Sequence, residues 1–347
     1  MPPRTVIADP PSPARWSRRQ ALLALATSAS AGVAPFAEAA DASTESAECI
    51  APSRPGGGFD LTCGLAAQAL QAARPGRAPL HTRYLPGGIG AVAFDQVATG
   101  RLGGPSTLVA FSSGSLLNIA QGRFGPHPLN AVRWIATLGN DYGVVAVHHN
   151  APHQRLQDVV TALQKDSARV VFGAGGTLGS QDWVKAALLV RAAGQDHKRM
   201  RFVSFEGGGE ALKALGGRHI DIFTGDAAEA MKAAAEGLPV RILAVLAPAR
   251  LSGAQAALPT AREQGLDLVW TTVRGLYMAA SVPDADARAW THALQEAQAT
   301  PGYAALCSRY GLHPFALSGA ALEDYVQRRV ADYRRLTQEL GLRSWPR

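Results

Sequence analysis

Little in this sequence marks an enzyme, a nucleic-acid binder or an integral membrane protein. Its three cysteines, Cys49, Cys63 and Cys307, show neither the Cys-x-x-Cys nor the Cys/His spacing that holds zinc. No lysine follows the last glycine of any glycine-rich loop, so a Walker-type phosphate cradle is absent. No Gly-x-Ser-x-Gly elbow occurs, and nothing in the spacing of Ser112, His81 and Asp60 asks for a triad. His148 and His149 are the one histidine pair, but neighbours on a strand point to opposite faces, which suits metal ligation poorly. Gly173, Gly175 and Gly179 loosely resemble a dinucleotide fingerprint, yet the acid required about 20 residues later falls in a basic stretch. The formal net charge of +7 includes no Lys/Arg cluster longer than a few residues, whereas nucleic-acid surfaces show a basic stripe or patch. Catalytic groups, cofactors, metals and nucleic-acid partners are therefore not expected.

The N-terminus reads as an export signal. Arg15, Arg18 and Arg19 precede an alanine- and serine-rich run at 21–36, and Ala37-Glu38-Ala39 supplies a small-x-small cleavage pattern. That run has 16 residues, short of the roughly 20 that span a bilayer, so no stable membrane anchor is expected. Ser17-Arg18-Arg19-Gln20-Ala21-Leu22 resembles the twin-arginine signal, with Ala21 where phenylalanine is usual. An ordinary secretory signal with two adjacent arginines is the alternative. Setting aside residues 1–40 removes four arginines and two acids and takes the net charge from +7 to +5. In an oxidising compartment Cys49 and Cys63 either pair around a glycine run or stay free; Cys307, on an apolar helix face, reads as a buried small hydrophobe.

The mature chain alternates short β-rich runs with helical stretches, an α/β pattern with mainly parallel sheets. Strands are expected near 49–51, 80–84, 107–111, 133–138, 144–148, 169–172, 201–205, 220–223, 241–246 and 268–277. Helices are expected from Asp60 onward and over 156–164, 180–193, 210–215 and 227–236. In a C-terminal helix Ser318 stands at the cap, and Leu322, Val326, Val330, Tyr333, Leu336 and Leu340 keep helical spacing. No fixed-period repeat and no flexible linker divides the chain, so any two lobes are joined by ordered segments.

Glycines fall mainly after strands and before helices, where open α/β sheets bind ligands. Four such places stand out: Pro55-Gly56-Gly57-Gly58-Phe59-Asp60, Ser112-Ser113-Gly114-Ser115, Gly173-Ala174-Gly175-Gly176-Thr177-Leu178-Gly179-Ser180, and Glu206-Gly207-Gly208-Gly209. Exposed backbone N–H groups and helix dipoles at these points suit a carboxylate. Ser112, Ser113, Ser115, Thr177 and Ser180 add hydroxyls. Arg274, in a β-like apolar segment, serves either as a bidentate carboxylate anchor or as the partner of an acid such as Asp267 or Asp141. Asp226 follows a strand and either caps the next helix, binds through water or accepts from a ligand hydroxyl or amine.

In order along the chain, Arg54-Pro55-Gly56-Gly57-Gly58-Phe59-Asp60, Pro86-Gly87-Gly88-Ile89-Gly90-Ala91 and Gly173-Ala174-Gly175-Gly176 with Ser180 resemble the tripartite tricarboxylate transporter receptors, also called Bug receptors. Phe205-Glu206-Gly207-Gly208-Gly209-Glu210-Ala211, Gly216-Gly217-Arg218-His219-Ile220-Asp221 and Leu258-Pro259-Thr260-Ala261-Arg262-Glu263-Gln264-Gly265 extend the resemblance over residues 49–342. It implies a type II periplasmic-binding-protein fold: lobe 1 from 49–147 plus 270–347, lobe 2 from 148–269, and a ligand cleft between them. The implied ligand-binding residues are Gly57, Gly58, Phe59, Asp60, Ser112, Ser113 and Ser115 from one side. Gly176, Thr177, Ser180, Glu206, Gly207, Asp226 and Arg274 complete the set. Many such receptors have Tyr-Lys-Gly where this chain has Phe205-Glu206-Gly207, and an aromatic at Arg274; both departures resemble the branch named for tricarboxylates. The expectation is a monomeric, exported periplasmic receptor, not an enzyme, that captures a citrate-like di- or tricarboxylate for membrane permease subunits. A receptor feeding a sensor kinase, or an α/β enzyme acting on a carboxylate, are the alternatives.

Overall fold

The computed structural model describes residues 47–342; the expected signal segment at 1–40 and residues 343–347 lie outside them. The chain first forms β1 (Glu48–Ala51), α1 (Gly58–Ala73), β2 (His81–Tyr84), α2 (Ala91–Ala98), β3 (Thr107–Ser112), α3 (Ser113–Ala120), β4 (Val132–Tyr142) and β5 (Val144–His148). Next come α4 (Leu156–Asp166), β6 (Val171–Gly175), α5 (Gln181–Ala192), β7 (Arg201–Phe205), α6 (Gly208–Gly216), β8 (Ile222–Phe223), α7 (Ala227–Ala235) and β9 (Val240–Val245). The chain then returns through β10 (Thr271–Ala279), α8 (Asp284–Ala299), α9 (Tyr303–Arg309), β11 (His313–Pro314) and α10 (Gly319–Glu339).

The strands build two sheets, β11-β4-β10-β3-β1-β2 and β7-β6-β8-β5-β9. Apart from the short edge strand β11, the two have the same order. In each, the first strand of a βαβ run is flanked by the second and third, and a strand arriving from the other sheet's side is inserted before the fourth. The expectation of mainly parallel pairing needs correction. β1 runs parallel to β2 and β3, and β6 to β7 and β8, whereas β10 is antiparallel to β3 and β4, and β5 to β8 and β9. The parallel pairs are those joined by helical crossovers; the inserted strands run the other way because they carry the chain between sheets.

Two such crossings lie side by side. The Gly143 N–H donates to the Trp270 carbonyl at 3.0 Å, the Leu246 N–H to the Gly143 carbonyl at 2.7 Å, and the Trp270 N–H to the Leu246 carbonyl at 2.8 Å. Glycine is needed at 143 because a Cβ there would stand 2.7 Å from Lys185 Cδ.

The buried strands are rich in β-branched and aromatic residues, which suits pleated surfaces covered on both faces. Leu108, Val109, Ala110 and Phe111 of β3 and Val273, Leu276, Tyr277 and Met278 of β10 are all buried. On α10 the spaced residues Leu322, Val326, Val330 and Tyr333 face the core. Ser318 does precede α10, but its hydroxyl accepts from Gln295 Nε2 at 2.8 Å and makes no side-chain cap.

Cys49 in β1 and Cys63 in α1 form a disulfide across a sequence separation of 14, closing a ring that contains the Pro55-Gly56-Gly57-Gly58 loop. Cys307 is a buried free thiol, and burial pushes it up to about 11. Replacing Cys49 and Cys63 together by alanine should cost about 3 kcal/mol, the loop-closure value for a ring of this size. Denaturant unfolding of the variant, and of the wild type with and without reductant, measures it.

Candidate functional site

A cleft forms where the chain leaves β1, β3, β6 and β7 for the starts of α1, α3, α5 and α6, with Arg274 on β10 and Glu229 on α7 completing its lining. This is the carboxyl end of the parallel strands in both sheets, the usual ligand position in open α/β sheets. The cleft encloses a cavity of ≈ 50 Å³. A single water needs about 10–15 Å³, so the cavity has room for several.

The helix starts differ in what they offer. α1 begins after Gly57 and α6 after Gly207, and neither has a side-chain cap; in α6 the Glu210 N–H donates to the Gly207 carbonyl at 3.2 Å, and the N–H groups that precede it point out of the helix start, where an anion is favoured. α3 and α5 are capped: Ser112 Oγ accepts from the Gly114 N–H at 3.2 Å, Ser115 Oγ from the Ser112 N–H at 3.2 Å, and Ser180 Oγ from the Trp183 N–H at 3.3 Å. A hydroxyl that accepts in this way still has its own hydrogen to donate.

Of the residues expected from sequence, Gly57, Gly58, Phe59, Ser112, Ser180, Glu206, Gly207 and Arg274 line the cleft together. The others are engaged nearby. Asp60 accepts from the Gly56 N–H at 2.9 Å and the Tyr84 hydroxyl at 2.8 Å, holding the glycine loop. Ser113 accepts from the Val273 N–H at 2.9 Å, and Ser115 is taken up by the α3 cap. Thr177 accepts from Arg123 Nη1 at 2.9 Å, and the Gly176 N–H donates to the Phe205 carbonyl at 2.7 Å. Asp226 occupies the cap position of α7 without capping it. Sequence reasoning missed Ser53, Ile89, Asn118 and Gln181, and also Asp182 and Glu229. Gly114, Gly175 and Gly208 also line the cleft and sit inside loops already singled out. Glu229 lies three residues past Asp226 on the same helical face, the one signal that pointed to it.

Polar contacts join the two walls. Arg54 Nη1 meets Glu210 Oε1 at 2.9 Å, Gln121 Nε2 donates to the Gly179 carbonyl at 2.8 Å, and Arg123 also donates to the Leu178 carbonyl.

Behind the cleft lies a buried charge network. Arg274 Nη2 contacts Asp141 Oδ2 at 2.7 Å and Asp226 Oδ2 at 3.1 Å, so its partners are Asp141 and Asp226 and not Asp267, which pairs with Arg262. Lys185 Nζ contacts Asp226 Oδ1 at 2.7 Å, Asp182 Oδ1 at 2.9 Å and the Gly225 carbonyl at 2.7 Å. Thr272 and Gln181 also donate to Asp226, at 3.0 and 3.1 Å. Glu229 Oε1 stands 3.7 Å from Arg274 Nη2, beyond hydrogen-bond range. Gly58 must be glycine here, because a Cβ would lie 1.9 Å from Arg274 Nη1.

Four carboxyls thus share two cations, and they do not titrate alike. Burial opposes charge on Asp226, but Lys185 and Arg274 outweigh it and lower its pKa. For Asp141 burial wins over Arg274, and the carboxyl is raised to about 6. Glu229, buried and flanked by Asp226, Asp182 and Asp141, is pushed up to about 8 despite Arg274. Burial works against Arg274 and Lys185 as well, but the surrounding carboxylates raise both.

Such a cleft, fed by helix starts from two sheets of like order, defines a two-lobed solute-binding protein. The chain matches the model of the Tripartite tricarboxylate transporter family receptor over residues 86–342, and it belongs to that family. MatC from Rhodopseudomonas palustris, solved with bound malate, is 20% identical, covering 84% of this chain and 98% of that one at a TM-score of 0.71. The periplasmic binding protein BugD is 16% identical over 86% of this chain and 98% of its own, at a TM-score of 0.75. An R. palustris protein solved with adipate gives the same identity, coverage and TM-score as BugD. These structures share the type II periplasmic-binding fold. No curated protein sequence matches the chain. Among the described residues no helix is long and apolar enough to cross a membrane.

Two outcomes follow from the network. Arg274→Ala leaves Asp141 and Asp226 short of a cation in the interior and should destabilise by about 3–5 kcal/mol in denaturant unfolding. Glu229 is raised from 4.5 to about 8 on folding, so the folded protein holds a proton that the unfolded chain releases. Its ionisation costs nothing below the unfolded value, and the cost grows as pH rises to about 8. Tm should therefore fall from pH 5 to 8 more steeply in the wild type than in Glu229→Gln.

Proposed function

We propose that this chain is an exported periplasmic receptor that captures a small organic carboxylate between two lobes and presents it to membrane permease subunits. The lobes comprise residues 49–147 with 270–347, and 148–269; closure is stabilised by the ligand's higher affinity for the closed form. The observation that carries the reading is the convergence of two uncapped helix starts, at Gly57 and Gly207, on one cleft. That cleft presents the partial positive charge and N–H donors of helix starts, with Arg274 at the start of α1. Family membership supports the transport role, and the malate and adipate of its structural neighbours supply the ligand class. Membership of a receptor family is what favours binding over turnover.

Citrate-like di- and tricarboxylates are the first acids to consider, because Arg274 lines the cleft and its Nε is buried without a partner. A thermal-shift screen of organic acids, followed by calorimetry, tests the reading. A true ligand at 100 times its Kd should add roughly 2.7 kcal/mol of stability. A panel in which no carboxylate shifts the melting point while a neutral sugar does would overturn it.

A further inference from the structure

β7 ends the second sheet, bonded to β6 on one side and, among the described residues, to no strand on the other. Phe202, Val203 and Phe205 give it the aromatic and β-branched character of a strand that pairs readily, and Arg201, Val203 and Ser204 are exposed. An open edge of this kind is a template for a further strand. Phe202 and Ser204, which point to one face of β7, line a groove of ≈ 580 Å³ together with Trp183, Met200 and Leu342. The far wall of the groove is the end of α10, and His197 Nε2 lies 3.1 Å from the Leu340 carbonyl there. Leu178, 57% exposed, also lines it. No residue lines both this groove and the ligand cleft.

A cationic margin runs beside the groove. Lys198, Arg199 and Arg201 are exposed. β6 and β7 pair with Val171 opposite Arg201, so Arg169 and Arg199, each two residues before that pair, lie on neighbouring segments. None of these four cations has an ion pair among the described residues. Other surface arginines do, as Arg74 with Glu296 at 2.6 Å and Arg262 with Asp267 at 2.7 Å. On β2, the equivalent edge of the first sheet, Arg83 is already paired with Glu48 at 2.7 Å. Asp196, the acid beside the cluster, accepts from the Lys198 N–H at 3.0 Å.

We propose that the β7 edge is a docking surface for another protein: an extended acidic segment that adds to the sheet as a strand. Its alternate apolar side chains enter the groove beside Phe202 and Ser204, and its carboxylates, at the intervening positions, meet Arg199 and Arg201. Main-chain bonds to the open edge supply attachment, and the groove supplies selectivity through every second side chain. The unpaired cations set the sign of the partner. A concave groove beside a strand edge accommodates an extended chain better than the planar face of a bilayer. The inference does not depend on which ligand the cleft takes.

The test is fluorescence anisotropy on the full chain with a labelled peptide of about eight residues in which valine and aspartate alternate, against the same peptide with lysine for aspartate. The aspartate peptide should bind at least about tenfold tighter, and more weakly as salt rises. Hydrogen exchange should slow at residues 201–205 on binding, and N-methylation of alternate peptide amides should abolish it. Arg199→Glu combined with Arg201→Glu, both at exposed positions, should reverse the preference between the peptides and leave the melting temperature unchanged. Equal binding of the two peptides, no binding at about 1 mM, protection elsewhere in the chain, or an aspartate preference that survives the double variant would each overturn the proposal. So would three other occupants. Anionic vesicles that bind the wild type while the peptide does not would give the surface to a membrane. A chain shortened to Leu342 that binds the peptide about tenfold better would give the groove to residues 343–347. A dimer in sedimentation that the double variant breaks would give it to a second copy.

Discussion

The buried pairing of Arg274 and Lys185 with Asp226 is the interaction on which the rest of this structure depends. Arg274 comes from β10 in the first sheet, Lys185 from α5 beside the second, and Asp226 from the end of the crossover between β8 and α7. Asp226 thus ties the strand that carries the chain back into the first sheet to the helices that form the far wall of the cleft. Ionic groups so deep contribute little net stability compared with apolar packing of the same volume. Their effect is geometric: each cation has its acceptors on named elements, and only one mutual arrangement of those elements satisfies them all.

Around that centre the two sheets follow one construction. β5 is inserted between β8 and β9 as β10 is between β3 and β4, and the adjacent crossings at Gly143 and Trp270 bond to each other. The strand ends that carry the glycine loops consequently face one another across the cleft. The direction of the inserted strands also accounts for the mixed sheets, since a strand passing between layers cannot follow the helical crossovers that make its neighbours parallel.

Much of this was legible in the sequence, and what was not has physical reasons. Strands such as β3, β5 and β7 announce themselves by β-branched and aromatic runs, and glycines between strand and helix gave the cleft its loops. The common order of the two sheets left no trace as a sequence repeat, because topology constrains where strands go and not which apolar residues fill them. α8, with three acids, two arginine or histidine side chains and scattered alanines over Asp284–Ala299, was not expected as an element. The network was half visible: Arg274 was read as either a ligand anchor or the partner of Asp267 or Asp141, but Lys185, Asp182 and Glu229 sit on helices, where a charge usually means solvent. Only the three-dimensional arrangement, which brings these side chains to Asp226 and Arg274, turns those charges inward.

The disulfide between Cys49 and Cys63 makes the Pro55-Gly56-Gly57-Gly58 segment part of a small covalent ring, and Asp60 and Tyr84 brace it from outside. A three-glycine loop would otherwise wander over many backbone conformations, and any guest would have to freeze it on arrival. The ring moves that ordering from the moment of encounter to the moment of oxidation. The N–H groups at the start of α1 are therefore aligned in advance, and a guest that met them would not spend free energy of contact on assembling that wall.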